Sequence, residues 1–266
     1  MNFLSNQNKL RQWTFIFKLV MCLLIFTLSV TTTILSVFTE FWYVSSTHQD
    51  NFYAKLWMQN FDVMWSFWST QTVFIINGWF LWTLIYHNNE QKNKFTNIYS
   101  QTSLTIYITI TALIFWISVI INRCSNLDLG VSWFWKLNLK AIIFSFLDHL
   151  LAPLAMIMYL LITFKKFKDK LNSKKQFLLV MIYPVFYFSY IYLRAVILAN
   201  NGVKNFLFPY DILNFNHAMI DVPLWINSVL VLLLIGTTIC LIPSFYLFLN
   251  KYFYGLSQKS NLVKIR

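Results

Sequence analysis

Asp148 and His149 stand side by side in the apolar run AIIFSFLDHLLAPLAMIMYLLITF, residues 141 to 164. The run is long enough to cross a bilayer. Ionisable groups in hydrocarbon are costly, and their default reading is function. Neutral imidazole is the usual base for a hydroxyl nucleophile, which is weak until a neighbour takes its proton. Ser69 and Thr70, in the uncharged run Val63 to Tyr86, supply such hydroxyls. Gln71 or Arg194 would then donate to an oxyanion. Asp148 lies about 100° round the helix from its neighbour, so it does not orient the imidazole. It reads instead as a partner for Arg194.

Each of these residues also has a plainer reading. Membrane hydroxyls such as Ser69, Thr70, Thr72 and the Thr31-Thr32-Thr33 triplet commonly bond back to carbonyls of the preceding turn. Gln71 and Asn77 can join helices. Arg194 can snorkel to the headgroups. His149 is read equally as a base or as a satisfied core histidine. His48, His87 and His217 fall in separate loops without metal-ligand spacing, so no metal site is expected. A haem needs paired histidines on facing helices, and only one lies within an apolar run, so no cofactor is expected.

The elements that carry these groups are membrane spans. Of 266 residues, 58% are hydrophobic and 11% charged, against about 25% charged in a soluble domain. Cys22, Cys124 and Cys240 lie far apart, which excludes a disulfide framework. The apolar runs predict six helices, at 19–39, 63–86, 102–122, 141–164, 176–198 and 223–249. The first exceeds a signal-peptide core and has no small-residue cleavage site, so it reads as a retained span. FWY at 41–43 and WFW at 133–135 suit the membrane interface. No second domain and no internal repeat is seen. The net charge of +12 is unevenly spread, with 15 of the 21 Lys and Arg in the termini and the loops after the second and fourth spans. That bias puts both termini in the cytoplasm and makes nucleic acid an unneeded partner.

Depth then joins the chemistry. The second and fourth spans run from outside inward under this orientation. Ser69 and Thr70 lie six and seven residues in from Val63, and His149 eight in from Ala141. At about 1.5 Å per residue, all three share a layer roughly 9–12 Å deep. Arg194 and Asn227 fall in the same outer half. Polar groups from four helices thus converge on one level, as a site in a bundle core requires. The low glycine content and the positions of Pro153 and Pro184 favour a closed polar pocket over the broken helices of a transporter.

FWSTQT, DHLLAPL, YPVFYFSYIYLR and FPYDIL, in that order between residues 67 and 211, resemble the androgen-induced protein family, and more closely its bacterial six-helix relatives. The motif positions fall on Trp68, Ser69 and Gln71; on His149 and Pro153; on Tyr183, Pro184, Tyr187 and Arg194; and on Phe208, Pro209, Tyr210 and Asp211. The animal members are threonine-type hydrolases of branched fatty-acid esters. The resemblance implies His149 as base, Ser69 at the nucleophile position with Thr70 beside it, and Tyr187 in the pocket. Taken together, the expectation is an all-α, six-helix transmembrane bundle forming one domain over 1–266. It would be a multi-pass protein of the cell membrane, in contact with membrane lipids and using Ser69 or Thr70 with His149 on a lipid-like ester. Gln71, Asp148, Arg194, Asn227 and Tyr187 would line the pocket. The competing expectation is a non-enzymatic transporter or structural component with the same polar pocket.

Overall fold

The computed structural model describes residues 2–39, 57–125, 139–167, 170–203, 207–210, 213–216 and 223–263. The aromatic triplets at 41–43 and 133–135, together with His48, Asp211 and His217, lie outside these residues, as does the side chain of Asp148. Among the described residues all regular structure is helical. Helix α1 (Asn2–Ile34) runs into a π turn at Leu35–Thr39. Next come α2 (Trp57–Ser66) and α3 (Trp68–Ile85), then a short 3₁₀ turn at Glu90–Lys92 and α4 (Ile98–Ser125). Helix α5 (Leu139–Phe146) continues through a π turn (Leu147–Leu151) into α6 (Ala152–Phe167), followed by α7 (Ser173–Asn200) and α8 (Leu224–Val263).

Four helical stretches are long and apolar enough to span a membrane: Arg11–Phe38, Ile98–Ile120, Ser173–Asn200 and Leu224–Leu256. The second and fourth apolar runs are interrupted rods instead. One breaks at Phe67, whose φ of −72° and ψ of 132° are extended. The other carries its π turn around His149, with the apolar stretch His149–Phe164 beyond it. Large apolar side chains face outward along every long helix, among them Leu23, Phe26, Ile117, Phe186, Leu233 and Phe248. Such a surface is compatible with a membrane-embedded chain and would aggregate in water.

Helix α4 is the hub, packing against α3, α6, α7 and α8. One core joins Cys22 and Ile25 of α1, Val73, Ile76 and Phe80 of α3, and Ala152, Ala155 and Met156 of α6. The two alanines let α6 come close, which is how helices associate where lipid is as apolar as leucine. A second core joins Ile106 and Ile110 of α4 to Leu160, Phe164, Val180 and Tyr246. The hydroxyls of Thr102, Ser103, Thr105, Thr109 and Thr111 each donate to the carbonyl four residues back, at 2.7 to 3.1 Å. Thr33 does likewise to Ser29 at 2.7 Å. Thr32 departs from that expectation, because its buried hydroxyl has no partner among the described residues.

Candidate functional site

The break at Phe67 is the centre of the polar layer. The backbone N–H of Gln71 makes the first helical bond of α3, to the Phe67 carbonyl at 3.2 Å. The N–H groups of Trp68, Ser69 and Thr70 therefore precede the helical ladder, and no side chain of Phe67 caps them. The Ser69 N–H reaches the Tyr210 hydroxyl at 3.5 Å. Burial pushes the Tyr210 phenol above its ordinary pKa, so it stays neutral. On the other side of the break, the Gln71 amide donates to the Trp65 carbonyl at 2.8 Å, and Tyr187 donates to the Ser66 carbonyl at 3.0 Å. Tyr183 donates to the Gln71 carbonyl oxygen at 3.1 Å. Trp68 stands amid this set, with ring centroids 4.4 Å from Tyr183 and 4.9 Å from Tyr187.

Arg194 lies on the α2 side of the break. Its Nε donates to both oxygens of Asp62, at 3.1 and 3.0 Å, and Nη2 to Oδ2 at 2.5 Å. Nη1 donates to the Leu207 carbonyl at 2.9 Å. The fork geometry is what a planar guanidinium offers a carboxylate. The sequence reading left Asp62 in a loop and sought the partner of Arg194 in Asp148. It also offered Gln71 and Arg194 as oxyanion donors, yet both are engaged in holding the broken helix and its neighbouring loop. Asn227 is buried in the first turn of α8, where its N–H bonds the Pro223 carbonyl at 3.1 Å.

His149 sits in the π turn for a local reason. Pro153 has no N–H, so the His149 carbonyl loses its ordinary helical donor four residues on. The Trp116 indole donates to that carbonyl at 3.0 Å. The His149 Nδ1 donates to the Ser145 carbonyl at 2.8 Å, because a carbonyl can only accept. In the neutral ring Nε2 therefore keeps its lone pair. The imidazole stacks on Phe115, with centroids 3.7 Å apart. Among the described residues, neither the Ser69 nor the Thr70 hydroxyl is hydrogen-bonded to it. Val73, one turn on from Ser69 and Thr70, and Ala152, three residues on from His149, belong to one core. Helix α4 links them, since the Thr72 and Thr111 hydroxyls meet at 3.3 Å and Phe115 lies one turn beyond Thr111.

No family model, curated protein or solved structure matches this chain.

The sequence reading missed a second polar cluster altogether. Lys18 and Glu90, read as tail and loop charges, are joined at 2.6 Å with side chains 0% and 7% exposed. Lys18 also donates to His87 Nδ1 at 3.2 Å and to the Thr83 carbonyl at 3.4 Å. The Tyr159 hydroxyl lies 3.0 and 2.9 Å from the Glu90 oxygens. The available signal was Lys18 as the last charge before the first apolar run. Among the described residues, no group of three or more His, Cys, Asp or Glu comes together as a metal site.

Proposed function

We propose that this chain crosses the cell membrane six times, with both termini in the cytoplasm, and hydrolyses lipid or fatty-acid esters within the bilayer. The supporting observation is that Ser69 and Thr70 open α3, where the first N–H groups have no helical partner. A helix start presents donors and the positive end of the helix dipole to a developing negative charge. One of the two hydroxyls gives its proton to His149 Nε2 and attacks the ester carbonyl. The oxyanion is held by the N–H groups at the start of α3. The imidazolium then returns its proton to the departing alcohol, and water releases the acid by the reverse sequence. The reading requires a side-chain rotation that brings Nε2 to the hydroxyl, a tightening that active sites commonly reserve for bound substrate. The motif resemblance adds support from a separate direction.

A fluorophosphonate probe is expected to label the purified protein, and His149→Ala to abolish the adduct. Ser69→Ala and Thr70→Ala tell which hydroxyl carries it. Labelling that survives His149→Ala sinks the hydrolase reading. The break at Phe67 favours a second reading, because discontinuous helices with exposed half-helix starts also bind anionic solutes in transporters. That reading gains if the wild-type chain takes no label at all.

A further inference from the structure

At the far end of α3 from the break, a cavity of about 450 Å³ opens between the start of α1 and the turn after α3. Arg11, Gln12, Phe15, Ile16 and His87 line it. The Arg11 guanidinium is exposed and uses one nitrogen on the Asn88 side-chain oxygen, which leaves most of its donors for another group. An ammonium can only donate, so the Lys18 contact makes His87 Nδ1 an acceptor. The carboxylate of this corner, Glu90, is buried and held by Lys18 and Tyr159. It does not answer the charge of Arg11. The rim is therefore cationic and rich in donors.

The wall of the cavity is apolar, and it does not stop at the rim. Ile16, Val20 and Leu23 follow one another along a single face of α1, and all three are exposed. A cationic, donor-rich head above an exposed apolar stripe matches a molecule with an anionic head and a hydrocarbon tail. We infer that this pocket binds an anionic phospholipid, with its phosphate against Arg11 and His87 and an acyl chain along Ile16, Val20 and Leu23. Lys92 and Lys94 lie in the same segment as His87 and add long-range attraction of the kind that draws anionic lipid to basic juxtamembrane clusters.

The full chain, purified in a neutral detergent, is titrated with phosphatidylglycerol, phosphatidylcholine or inorganic phosphate, and bound lipid is counted by native mass spectrometry. Phosphatidylglycerol is expected to bind in preference to phosphatidylcholine. Arg11→Gln should weaken it about tenfold, as loss of a charge-assisted hydrogen bond implies. Gln12→Glu, a change at an exposed position that leaves folding intact, should weaken it as well. Lys251→Gln, an exposed basic position on α8, should bind like the wild type. Equal binding of phosphatidylcholine, or equal weakening by Lys251→Gln, overturns the assignment in favour of unspecific lipid or charge attraction. Displacement by inorganic phosphate at matched concentration overturns it in favour of a free-anion site. Wild-type affinity in both Arg11→Gln and Gln12→Glu removes the pocket from consideration.

Discussion

The two ends of α3 each hold a charge pair, and they hold it differently. At its carboxyl-terminal end, Lys18 and Glu90 meet where the surrounding helices are unbroken, and their contacts include Tyr159, His87 and the Thr83 carbonyl. At its amino-terminal end, the pair Asp62–Arg194 stands beside a helix that has come apart. There, Tyr187, Gln71 and Arg194 all donate to backbone carbonyls, those of Ser66, Trp65 and Leu207. The Lys18–Glu90 cluster fastens α1, the turn after α3 and α6 together. The other compensates a helix interruption on both sides, with Tyr187 and Gln71 donating to its carbonyls and the Ser69 N–H reaching the Tyr210 hydroxyl. A membrane chain keeps irregular backbone only where protein or a cavity satisfies it, so the two regions divide into a fastening and a working face.

The comparison breaks most sharply at Lys18. Lys18→Met leaves the Glu90 carboxylate buried without its cation and should cost roughly 3–5 kcal/mol, read by denaturant titration in detergent. Adding Glu90→Leu to that variant should recover much of the loss, since an apolar pair can replace a buried ionic one. A Lys18→Met chain as stable as the wild type would show that the Lys18–Glu90 cluster fastens nothing. Next in size is Arg194→Lys, which keeps the charge but loses the fork and the Leu207 carbonyl. Because Asp62 is one-third exposed, a loss of about 1–2 kcal/mol is expected, with the Lys18–Glu90 cluster unaffected. Tyr187→Phe removes the donor to the Ser66 carbonyl and should cost about 1 kcal/mol. It should also lower fluorophosphonate labelling more than Lys18→Met does, once both are compared at equal folded fraction. If Lys18→Met suppresses labelling as strongly, the division between the two ends fails. Trp116→Phe should have the smallest effect on stability, again near 1 kcal/mol, by leaving the His149 carbonyl without its donor.

Much of the helical plan is legible in the apolar runs, because twenty uncharged residues have few other uses. The interruptions are less legible. Phe67 is neither glycine nor proline, and nothing in FWSTQT says that the chain turns extended there. What holds the break lies far away in sequence, at Tyr187 and Tyr210, so only the assembled bundle reveals it. The preference for a closed pocket over a broken helix rested on glycine and proline content, and the broken helix at Phe67 runs against it. Arg194 was recognisable as a polar group in the outer half, whereas Asp62 looked like a loop residue because it precedes the apolar run. Lys18 and Glu90 were hidden by the habit of assigning charges at span ends to water. The π turn at His149 went unread although HLLAP carries its local signal, the missing N–H of Pro153 four residues on.

Helix α8 has a consequence of another kind. Its spanning stretch is only 11% buried; near its carboxyl-terminal part Tyr246 meets Thr109 at 2.8 Å and Asn250 accepts from the Leu171 N–H at 2.9 Å. Nearer its start, Leu232, Leu233 and Leu234 stand open. In a bilayer, hydrocarbon tails would complete that wall, so the thickness and fluidity of the membrane would become part of the tertiary structure, and short-chain detergents should loosen the carboxyl-terminal helix before any other.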